Sequence, residues 1–390
     1  MEYIERQITD KLRDYTKYFP VVFLTGPRQS GKSTLLENVF PEYNHVNLEE
    51  EGMRAQAKDD PKGFLEGLGT RAIIDEAQHV PELFSYIQLI VDDIDEPGMF
   101  ILSGSQNFLL LRKISQSLAG RVGILSLLPF SDKEMGDADL LIKETDGWLF
   151  SGHYPRRALK GFDPFDFYSN YIRTYVERDV RMETGIVNLD SFSAFMRICA
   201  TNVGSPINLS SIGNAIDTDA RTISSWLNIL EESYIVFRLR PFTKSKVMRY
   251  SKTPKIYFYD TGLLCNLLGV KNEKNLSHSN MRGQVYENAI ILDYYKHEYN
   301  SGRFPYNNTF FWRNSGRQEK EIDLIIEEFD QLKLYEIKSS RTFKTQYADN
   351  LHLFEKNIGS RKCEMNVIYD GSHSTVFKDV RFIDRRDLEW

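Results

Sequence analysis

The stretch GPRQSGKST, residues 26–34, decides the fold of the first third of the chain. It follows an apolar strand-like run, residues 21–24, and opens a helix at Lys32, the context that the phosphate-binding pattern GxxxxGK followed by Ser or Thr requires. Gly26 and Gly31 let the backbone N–H groups curl inward, and the helix N-terminus adds its positive end to the same place. We therefore expect a triphosphate on this loop. The loop residues are Gly26, Pro27, Arg28, Gln29, Ser30, Gly31, Lys32, Ser33 and Thr34.

Two loop side chains and two carboxylates carry the expected chemistry. Lys32 would reach the β- and γ-phosphates, and the Ser33 hydroxyl would ligate Mg²⁺. A second apolar run, residues 72–74, ends in Asp75 and Glu76. We expect Asp75 to hold Mg²⁺ through water and Glu76 to polarise the attacking water as general base. The alternative is a solvated acidic pair without a function. It is disfavoured because the phosphate loop and the two carboxylates have roles in the same reaction.

A third apolar run, residues 99–102, ends in polar side chains at the same predicted edge of a parallel sheet. A polar strand end of this kind can sense the γ-phosphate. The polar residues are Ser103, Ser105, Gln106 and Asn107.

The stretches GPRQSGKSTLL, IIDEAQHVPEL, LSGSQNFLL, SLAGRV and YIRTYVERDVR together resemble the AAA+ ATPases. The resemblance is to bacterial and archaeal proteins in which this ATPase core is fused to a C-terminal domain of unassigned function. It implies ATP hydrolysis with Mg²⁺ and a serine sensor, here Ser103 or Ser105. It also makes Arg121, in SLAGRV, a candidate arginine finger acting within the chain or from a neighbouring subunit. The alternative is that Arg121 caps a helix C-terminus.

Composition narrows the class of protein. The chain has 390 residues, 41% of them hydrophobic, which favours two or three domains. Its three cysteines, Cys199, Cys265 and Cys363, are too widely spaced to indicate a disulfide framework or a zinc site. The charged first 20 residues and the lack of a long apolar run predict a cytoplasmic protein without a membrane span. A net charge of −6 excludes a uniformly basic nucleic-acid coat but permits a local basic patch.

The stretch WLFSGHYPRRALKGFDP marks the end of the first domain near residue 160. A helix is predicted over residues 165–184. Its arginines could reach a nucleotide at the interdomain cleft, but pairing along the helix with its acidic residues is the favoured interpretation. The arginines are Arg173, Arg178 and Arg181, and the acidic residues are Glu177, Asp179 and Glu183.

Residues 207–242 have a different pattern of predicted elements: a helix, a short turn at 217–219, a second helix and a strand. This is the order of a winged helix, whose second helix usually enters the DNA major groove. That helix would present Arg221, Thr222 and Ser225. Nonspecific nucleic-acid contact is favoured over a lid or protein-docking role because the ribbon after the helix is basic and lacks acidic residues. The ribbon residues are Arg238, Arg240, Lys244, Lys246, Arg249, Lys252 and Lys255.

The last third contains a second constellation of charged residues. Glu287 lies on a predicted helix, Asp323 begins a strand in EIDLII, and YEIKSS aims Glu336 and Lys338 to one face of the next strand. In order, spacing and strand context this stretch is similar to the PD-(D/E)xK nucleases. The three carboxylates would hold Mg²⁺, joined by the carbonyl of Ile337, and Lys338 would orient water or neutralise charge. The alternative is an exposed hairpin with one face in contact with solvent.

The sequence thus predicts a three-part α/β protein. Its parts are a P-loop AAA+ ATPase domain (1–160), a helical lid and winged helix (161–275) and a PD-(D/E)xK-like domain (276–390). The leading hypothesis is an ATP-hydrolysing enzyme that acts on DNA, with a candidate metal-dependent nuclease. The alternative is a nucleotide-controlled switch or scaffold whose last domain binds a partner without cleavage. We expect ATP and Mg²⁺ as ligands, nucleic acid as partner, no membrane association and a candidate homo-oligomer.

Overall fold

The computed structural model describes residues 3–105, 117–176, 188–245, 247–314 and 320–390. Several residues named above lie outside the described residues. These are Gln106, Asn107, Glu177, Arg178, Asp179, Arg181, Glu183 and Lys246.

The N-terminal unit, residues 3–137, is built on a five-stranded parallel sheet in the order β2-β3-β4-β1-β5. The strands are β1 (Val21–Thr25), β2 (Asn44–Asn47), β3 (Ala72–Asp75), β4 (Phe100–Gly104) and β5 (Val122–Ser126). Its helices are α1 (Thr9–Tyr18), α2 (Lys32–Val39), α3 (Glu51–Asp59), α4 (Pro61–Leu68), α5 (Leu83–Ile94) and α6 (Asp132–Asp137), with a 3₁₀ turn at Ala77–His79. Separate apolar clusters cover the two faces of the sheet, which is why its inner strands β1, β3 and β4 are largely apolar, whereas the edge strand β2 is polar. The predicted α/β fold with a parallel sheet is confirmed.

The middle unit, residues 145–277, is mainly helical. Its helices are α7 (Thr145–Ser151), α8 (Pro155–Lys160), α9 (Pro164–Tyr171), α10 (Leu189–Thr201), α11 (Leu209–Ala215), α12 (Ala220–Glu232), α13 (Met248–Ser251), α14 (Thr261–Leu267) and α15 (Glu273–Ser277). A π-helical segment, Ile172–Val176, follows α9. Asn208 and Asp219 cap α11 and α12 with their side chains, so a tight turn separates the two helices. Strands β6 (Val236–Pro241) and β7 (Lys255–Phe258) then form an antiparallel pair.

The C-terminal unit, residues 282–390, packs a long helix and a shorter one against a mixed sheet. The helices are α16 (Arg282–Asn300) and α17 (Asp349–Ile358), and the 3₁₀ turns are Pro305–Asn307, Thr345–Ala348 and Arg385–Asp387. The strands are β8 (Thr309–Arg313), β9 (Glu321–Glu327), β10 (Gln331–Lys338), β11 (Lys362–Tyr369), β12 (Thr375–Phe377) and β13 (Val380–Asp384).

One sheet spans the middle and C-terminal units. Its eight strands run in the order β12-β13-β11-β10-β9-β8-β6-β7, because β6 pairs in parallel with β8 through Arg240 and Phe310. Backbone hydrogen bonding therefore crosses residue 275, where the sequence predicts a domain boundary. A single apolar cluster also contains residues of both units, among them Trp226, Tyr286 and Ile337.

Candidate nucleotide site and carboxylate cluster

The phosphate loop has the backbone that its glycines predict. Gly26 has φ +147°, and a Cβ at this position would lie 2.1 Å from the carbonyl oxygen of Leu127. Gly31, with φ +96°, immediately precedes α2. Both conformations disfavour residues with a side chain, so the close approach of the loop to the end of β5 depends on glycine.

Lys32 lies inside the loop. Its Nζ donates to the carbonyl oxygens of Gly26 and Pro27, both over 3.0 Å. The side chain is buried, and this burial lowers the pKa of Lys32 from its ordinary value. The ammonium is thus held where the inward-facing N–H groups of the loop would receive a phosphate.

Asp75 brings two predicted residues together. Strands β3 and β4 pair in parallel, which places the ends of both strands at one edge of the sheet. There the buried Asp75 carboxylate accepts hydrogen bonds from the hydroxyls of Ser33 and Ser103. A hydroxyl beside a carboxylate, both within reach of Lys32, is a donor set that fits Mg²⁺ bound to a triphosphate.

Glu76 follows Asp75 with a left-handed backbone, φ +53°, which turns it away from the strand direction. Its carboxylate accepts from the side chain of Gln78 and lies 3.4 Å from the Ser105 hydroxyl. Glu76 also lines the cavity in front of the loop, as a residue acting on a water molecule must.

This cavity has a volume of about 750 Å³. Besides Glu76 and the loop residues Arg28, Gln29 and Gly31 to Thr34, it is lined by two groups that the sequence analysis did not include. One group is Tyr3, Ile4 and Arg6 of the N-terminal segment, and the other is Pro155, Arg156, Leu159 and Lys160 of α8. The proline, leucine, isoleucine and tyrosine offer apolar surface for a base, and Arg156 and Lys160 offer positive charge for phosphates.

Arg6 supports the loop from behind. Its guanidinium donates to the Ser30 carbonyl over 2.9 Å and to the Leu128 carbonyl over 2.7 Å. It is also paired at 2.9 Å with Glu134, and both side chains are buried. No local pattern marks Arg6, because every one of these partners is distant in sequence.

Arg121 lies away from the cavity. It precedes β5, and its carbonyl accepts from the N–H of Val21, so it sits at the sheet edge opposite the loop. Its guanidinium pairs with Asp92 and donates to the Ala119 carbonyl over 3.1 Å. The expectation that Arg121 acts on its own chain's nucleotide is therefore corrected: a strand of five residues, roughly 17 Å, separates the two positions.

The four residues of the C-terminal prediction are brought into one neighbourhood. Lys338 Nζ lies 2.7 Å from Glu336 and 3.7 Å from Asp323, and the Ile337 N–H donates to Asp323 over 2.7 Å. Glu287 of α16 lies beside the same group, because Lys255 pairs both with Glu287 and with Glu321, which is on β9 with Asp323. We call Glu287, Glu321, Asp323 and Glu336 the carboxylate cluster.

Burial of this cluster raises two pKa values. The pKa of Glu336 rises to about 8, mainly because the side chain is buried and also because Asp323 is close. The pKa of Glu287 rises to about 7, again mainly through burial, although Lys255 opposes the rise.

Lys255 corrects the predicted basic ribbon. It is 1% exposed and forms ion pairs with Glu287, at 3.2 Å, and with Glu321. Arg249 is likewise buried against Glu327, and Arg238 pairs with Glu231. These three cations are neutralised by carboxylates that are absent from the ribbon but adjacent in space, so they are not available to phosphates.

The carboxylate cluster does not fit a divalent ion as it stands. Glu287, Asp323 and Glu336 do not bring their oxygens within 4.8 Å of one another. One other group of side chains in the described parts of the chain does reach this spacing. That other group is His352, Glu355 and Asp379, which the sequence analysis did not single out. One feature of the cluster does favour a cation: Glu336 Oε2 is buried without a hydrogen-bond partner.

Three family models match the chain. One, described as an AAA domain, covers residues 18–136. This match to the unit that carries the phosphate loop supports the chain as an ATPase. The other two models, described as domains of unknown function DUF8612 and DUF4143, cover residues 142–274 and 282–385 of this ATPase. The predicted ATP binding and ATPase activity are thereby confirmed.

Similar proteins align along most of this ATPase. An uncharacterized protein of Mycobacterium tuberculosis is 28% identical over 379 residues, which cover 96% of this chain and 82% of that protein. An uncharacterized protein of Haemophilus influenzae is 22% identical, covering 90% of this chain and 88% of that protein. Among solved structures, the Walker-type ATPase of Pyrococcus abyssi matches with 16% identity and a TM-score of 0.47, covering 68% of this chain and 96% of that one. Within the described ranges, each helix of this ATPase is too short or too polar to cross a bilayer.

Proposed function

We propose that this ATPase is a nucleotide-driven switch in which the state of the ATP cavity controls how the middle and C-terminal units engage nucleic acid. The proposal rests on one observation above all: Phe130 belongs both to the wall of the cavity and to the contact with α16. The nucleotide site and the C-terminal unit therefore share a residue.

The ring and the backbone of Phe130 face different partners. The ring lines the cavity and carries the Arg6 guanidinium 4.8 Å above its centre. The carbonyl oxygen accepts from Lys296 Nζ over 2.7 Å and lies 3.1 Å from His153 Nδ1. A nucleotide that shifts the backbone at Phe130 would move the carbonyl that Lys296 contacts, whereas rotation of the ring about its side-chain torsions alone would not.

Helix α16 extends from this contact to the carboxylate cluster. Lys296 and Glu287 lie on the same helix, nine residues or roughly 13 Å apart along its axis. Lys296 is buried, bonds to Phe130 of the N-terminal unit and contacts His153 Nδ1 of the middle unit at 3.0 Å, so an enclosed polar contact fixes the helix to both units. A shift at Phe130 would therefore reach Glu287 as a rigid-body displacement.

Within the cavity, each residue has a role in hydrolysis. Lys32 and the loop N–H groups would bind the β- and γ-phosphates, and Glu76 would orient the attacking water. Ser33 and Asp75 would hold Mg²⁺, which neutralises phosphate charge when bound. Ser103 would sense the γ-phosphate through Asp75, and Arg156, on the facing helix, would stabilise negative charge that develops during transfer.

Nucleic acid is the partner favoured by the exposed end of the β6–β7 connection. Lys244 and Lys252 are exposed there, and Arg240 stacks on Tyr250, with 4.3 Å between guanidinium and ring centre. Tyr250 is 72% exposed and Val247 is 80% exposed. Exposed cations beside an exposed aromatic ring suit a phosphate backbone with unpaired bases.

The test is ATP hydrolysis with and without single-stranded and duplex DNA over a series of salt concentrations. We expect DNA to stimulate hydrolysis, the stimulation to fall with salt, and the double variant Lys244→Ala/Lys252→Ala to lose it. The matched control is Lys58→Ala/Lys62→Ala, two exposed lysines of α3 and α4. Hydrolysis that ignores every DNA at low salt would overturn the choice of partner.

Metal-dependent cleavage by the C-terminal unit is the second candidate. It is favoured by the convergence of Asp323, Glu336 and Lys338 and by the unpartnered oxygen of Glu336. The test is incubation with Mg²⁺ or Mn²⁺, with and without ATP, against linear, single-stranded, branched and supercoiled DNA. Cleavage that Asp323→Ala abolishes would establish it, and intact DNA under all of these conditions would exclude it for these substrates.

A further inference from the structure

We propose that Lys255 is a built-in cation that takes the place of a divalent metal in the carboxylate cluster. While β7 remains docked on α16, the cluster fastens the middle unit to the C-terminal unit and does not bind metal. This inference holds whichever partner the switch engages, because it concerns only contacts within the chain, and it stands against the second candidate above, which needs a metal in this cluster.

The first argument is the position of the Lys255 ammonium. It bridges Glu287 of α16 and Glu321 of β9, and it also lies 5.3 Å from the ring centre of Phe311. A metal ion in the same place would likewise be a cation held by two carboxylates from different elements. The two carboxylates that pair with Lys255 favour the charged form of its ammonium.

The second argument is that the oxygen of Glu287 nearest the middle unit is already satisfied. Glu287 Oε1 accepts from the Tyr257 hydroxyl over 2.6 Å as well as from Lys255. Gly204 lies beside this oxygen, since a Cβ added there would be 3.3 Å from it. A metal could bind this oxygen only by displacing two donors.

The third argument is charge. The four carboxylates of the cluster face three cations: Lys255, Lys338 at 2.7 Å from Glu336, and Arg313 at 3.8 Å from Glu321. A divalent ion added to this group would give it more positive than negative charge in a partly buried place. Such an excess is strongly disfavoured where the dielectric constant is low.

Asn288 explains why Lys255 and Tyr257 stay in position. Its buried side chain accepts from the N–H of Phe258 over 2.6 Å and donates to the Phe258 carbonyl over 3.0 Å. The residue after Glu287 on α16 therefore clamps the end of β7. Lys255 and the carboxylate that it neutralises are held by adjacent residues of one helix.

The test is Mn²⁺ binding to the full-length, nucleotide-free protein, measured by electron paramagnetic resonance of the free ion. The relevant quantity is the difference in bound Mn²⁺ between a protein and the same protein carrying Asp323→Asn. This difference counts ions at the cluster and leaves out ions at the phosphate loop or at His352. We expect none in the wild type and about one ion per chain in Lys255→Met, lost again in Lys255→Met/Asp323→Asn. Lys271→Met, an exposed lysine of the same unit, should behave as wild type.

A thermal melt adds a readout that does not rely on counting ions. Lys255→Met should melt at a lower temperature than wild type in metal-free buffer and recover with Mn²⁺, whereas the wild type should not respond. Lys255→Gln, which keeps a hydrogen-bond donor, serves if the methionine variant does not fold. Asp323-dependent Mn²⁺ binding by the wild type, or a folded Lys255 variant that gains no site, would overturn the proposal.

Discussion

The Lys296 ammonium donates to the carbonyl oxygen of Phe130 over 2.7 Å, and through this bond the wall of the ATP cavity touches the main helix of the C-terminal unit. Both groups are buried, and His153 and Asp132 lie beside them. The bond is thus placed to transmit a change in one unit to the other.

Lys296→Met should uncouple the units. It removes the bond to Phe130 but leaves every side chain of the cavity, so we expect ATP binding and basal hydrolysis to change little and stimulation by DNA to fall toward the basal rate. Stimulated and basal phosphate release are measured side by side, with the exposed Lys133→Met as control. Full stimulation in a folded Lys296→Met protein would refute the route through Phe130.

Glu76→Gln should separate nucleotide binding from hydrolysis. The amide keeps the size of the side chain but cannot accept a proton from water, so we expect phosphate release to fall by about 10²- to 10³-fold. The affinity for ATP should be retained, because Lys32 and the loop are unchanged. Nucleotide titration and steady-state phosphate release check the two halves of this prediction, and an unaffected rate would show that another group acts as the base.

Arg6→Ala should weaken both the fold and the nucleotide site. It leaves Glu134 as a buried charge without its partner, which costs about 3–5 kcal/mol of the free energy of unfolding. It also frees the Ser30 carbonyl of the phosphate loop, so the affinity for ATP should fall. Urea unfolding and nucleotide titration measure the two effects. Arg13→Ala, an exposed arginine of α1, is the control and should change neither.

Asp132 should make stability depend on pH. Burial, and then the charge of Asp293, raises its pKa from 3.8 to about 7 in the folded chain. Between those values the unfolded chain has released a proton that the folded chain retains, so this group lowers stability as pH rises from about 4 to 7. Above pH 7 the loss is complete.

Asp132→Asn removes this dependence and keeps an acceptor for the Trp148 N–H, which bonds to Asp132 over 3.0 Å. The free energy of unfolding of the variant relative to wild type should therefore grow from pH 4 to 7, by at most about 1.4 kcal/mol per pH unit, and then stay level. Urea denaturation at several pH values checks it. A constant difference across this range would contradict the raised pKa.

Arg121→Ala should leave the activity of an unassociated chain unchanged, because Arg121 pairs with Asp92 at the sheet edge opposite the nucleotide. Hydrolysis per chain is measured over a dilution series. A fall in activity confined to high concentration would indicate that Arg121 reaches the nucleotide of a neighbouring chain, and a fall at every dilution would contradict its position here.

The sequence predicted those parts of the site whose residues are close together along the chain. The phosphate loop, the strand that ends in Asp75 and the Glu-x-Lys strand each carry their chemistry within a few residues of a regular element, so pattern and period suffice. Arg6 was missed because its buried partner Glu134 is 128 residues away. Arg156 was also missed, because it enters the cavity only when α8 packs opposite the loop.

Lys255 shows a different limit. Within its own ribbon it has no acidic neighbour, and the sequence analysis assigned it to phosphates. In the fold, α16 and β9 bring Glu287 and Glu321 to it, and Lys255 itself is buried. The charge of a segment therefore predicts its partner only where the segment stays exposed, as Lys244 and Lys252 do.

The shared eight-stranded sheet also constrains how such chains can be recombined. A crossover between relatives after residue 277 would pair β6 of one parent with β8 of the other, and Lys255 with the residue of the other parent at position 287. Strands β6 to β13 must therefore be inherited as one piece. The sheet of the N-terminal unit shares no strand with them, so an exchange of this unit has to preserve side-chain contacts such as that of Lys296 with Phe130 but no strand pairing.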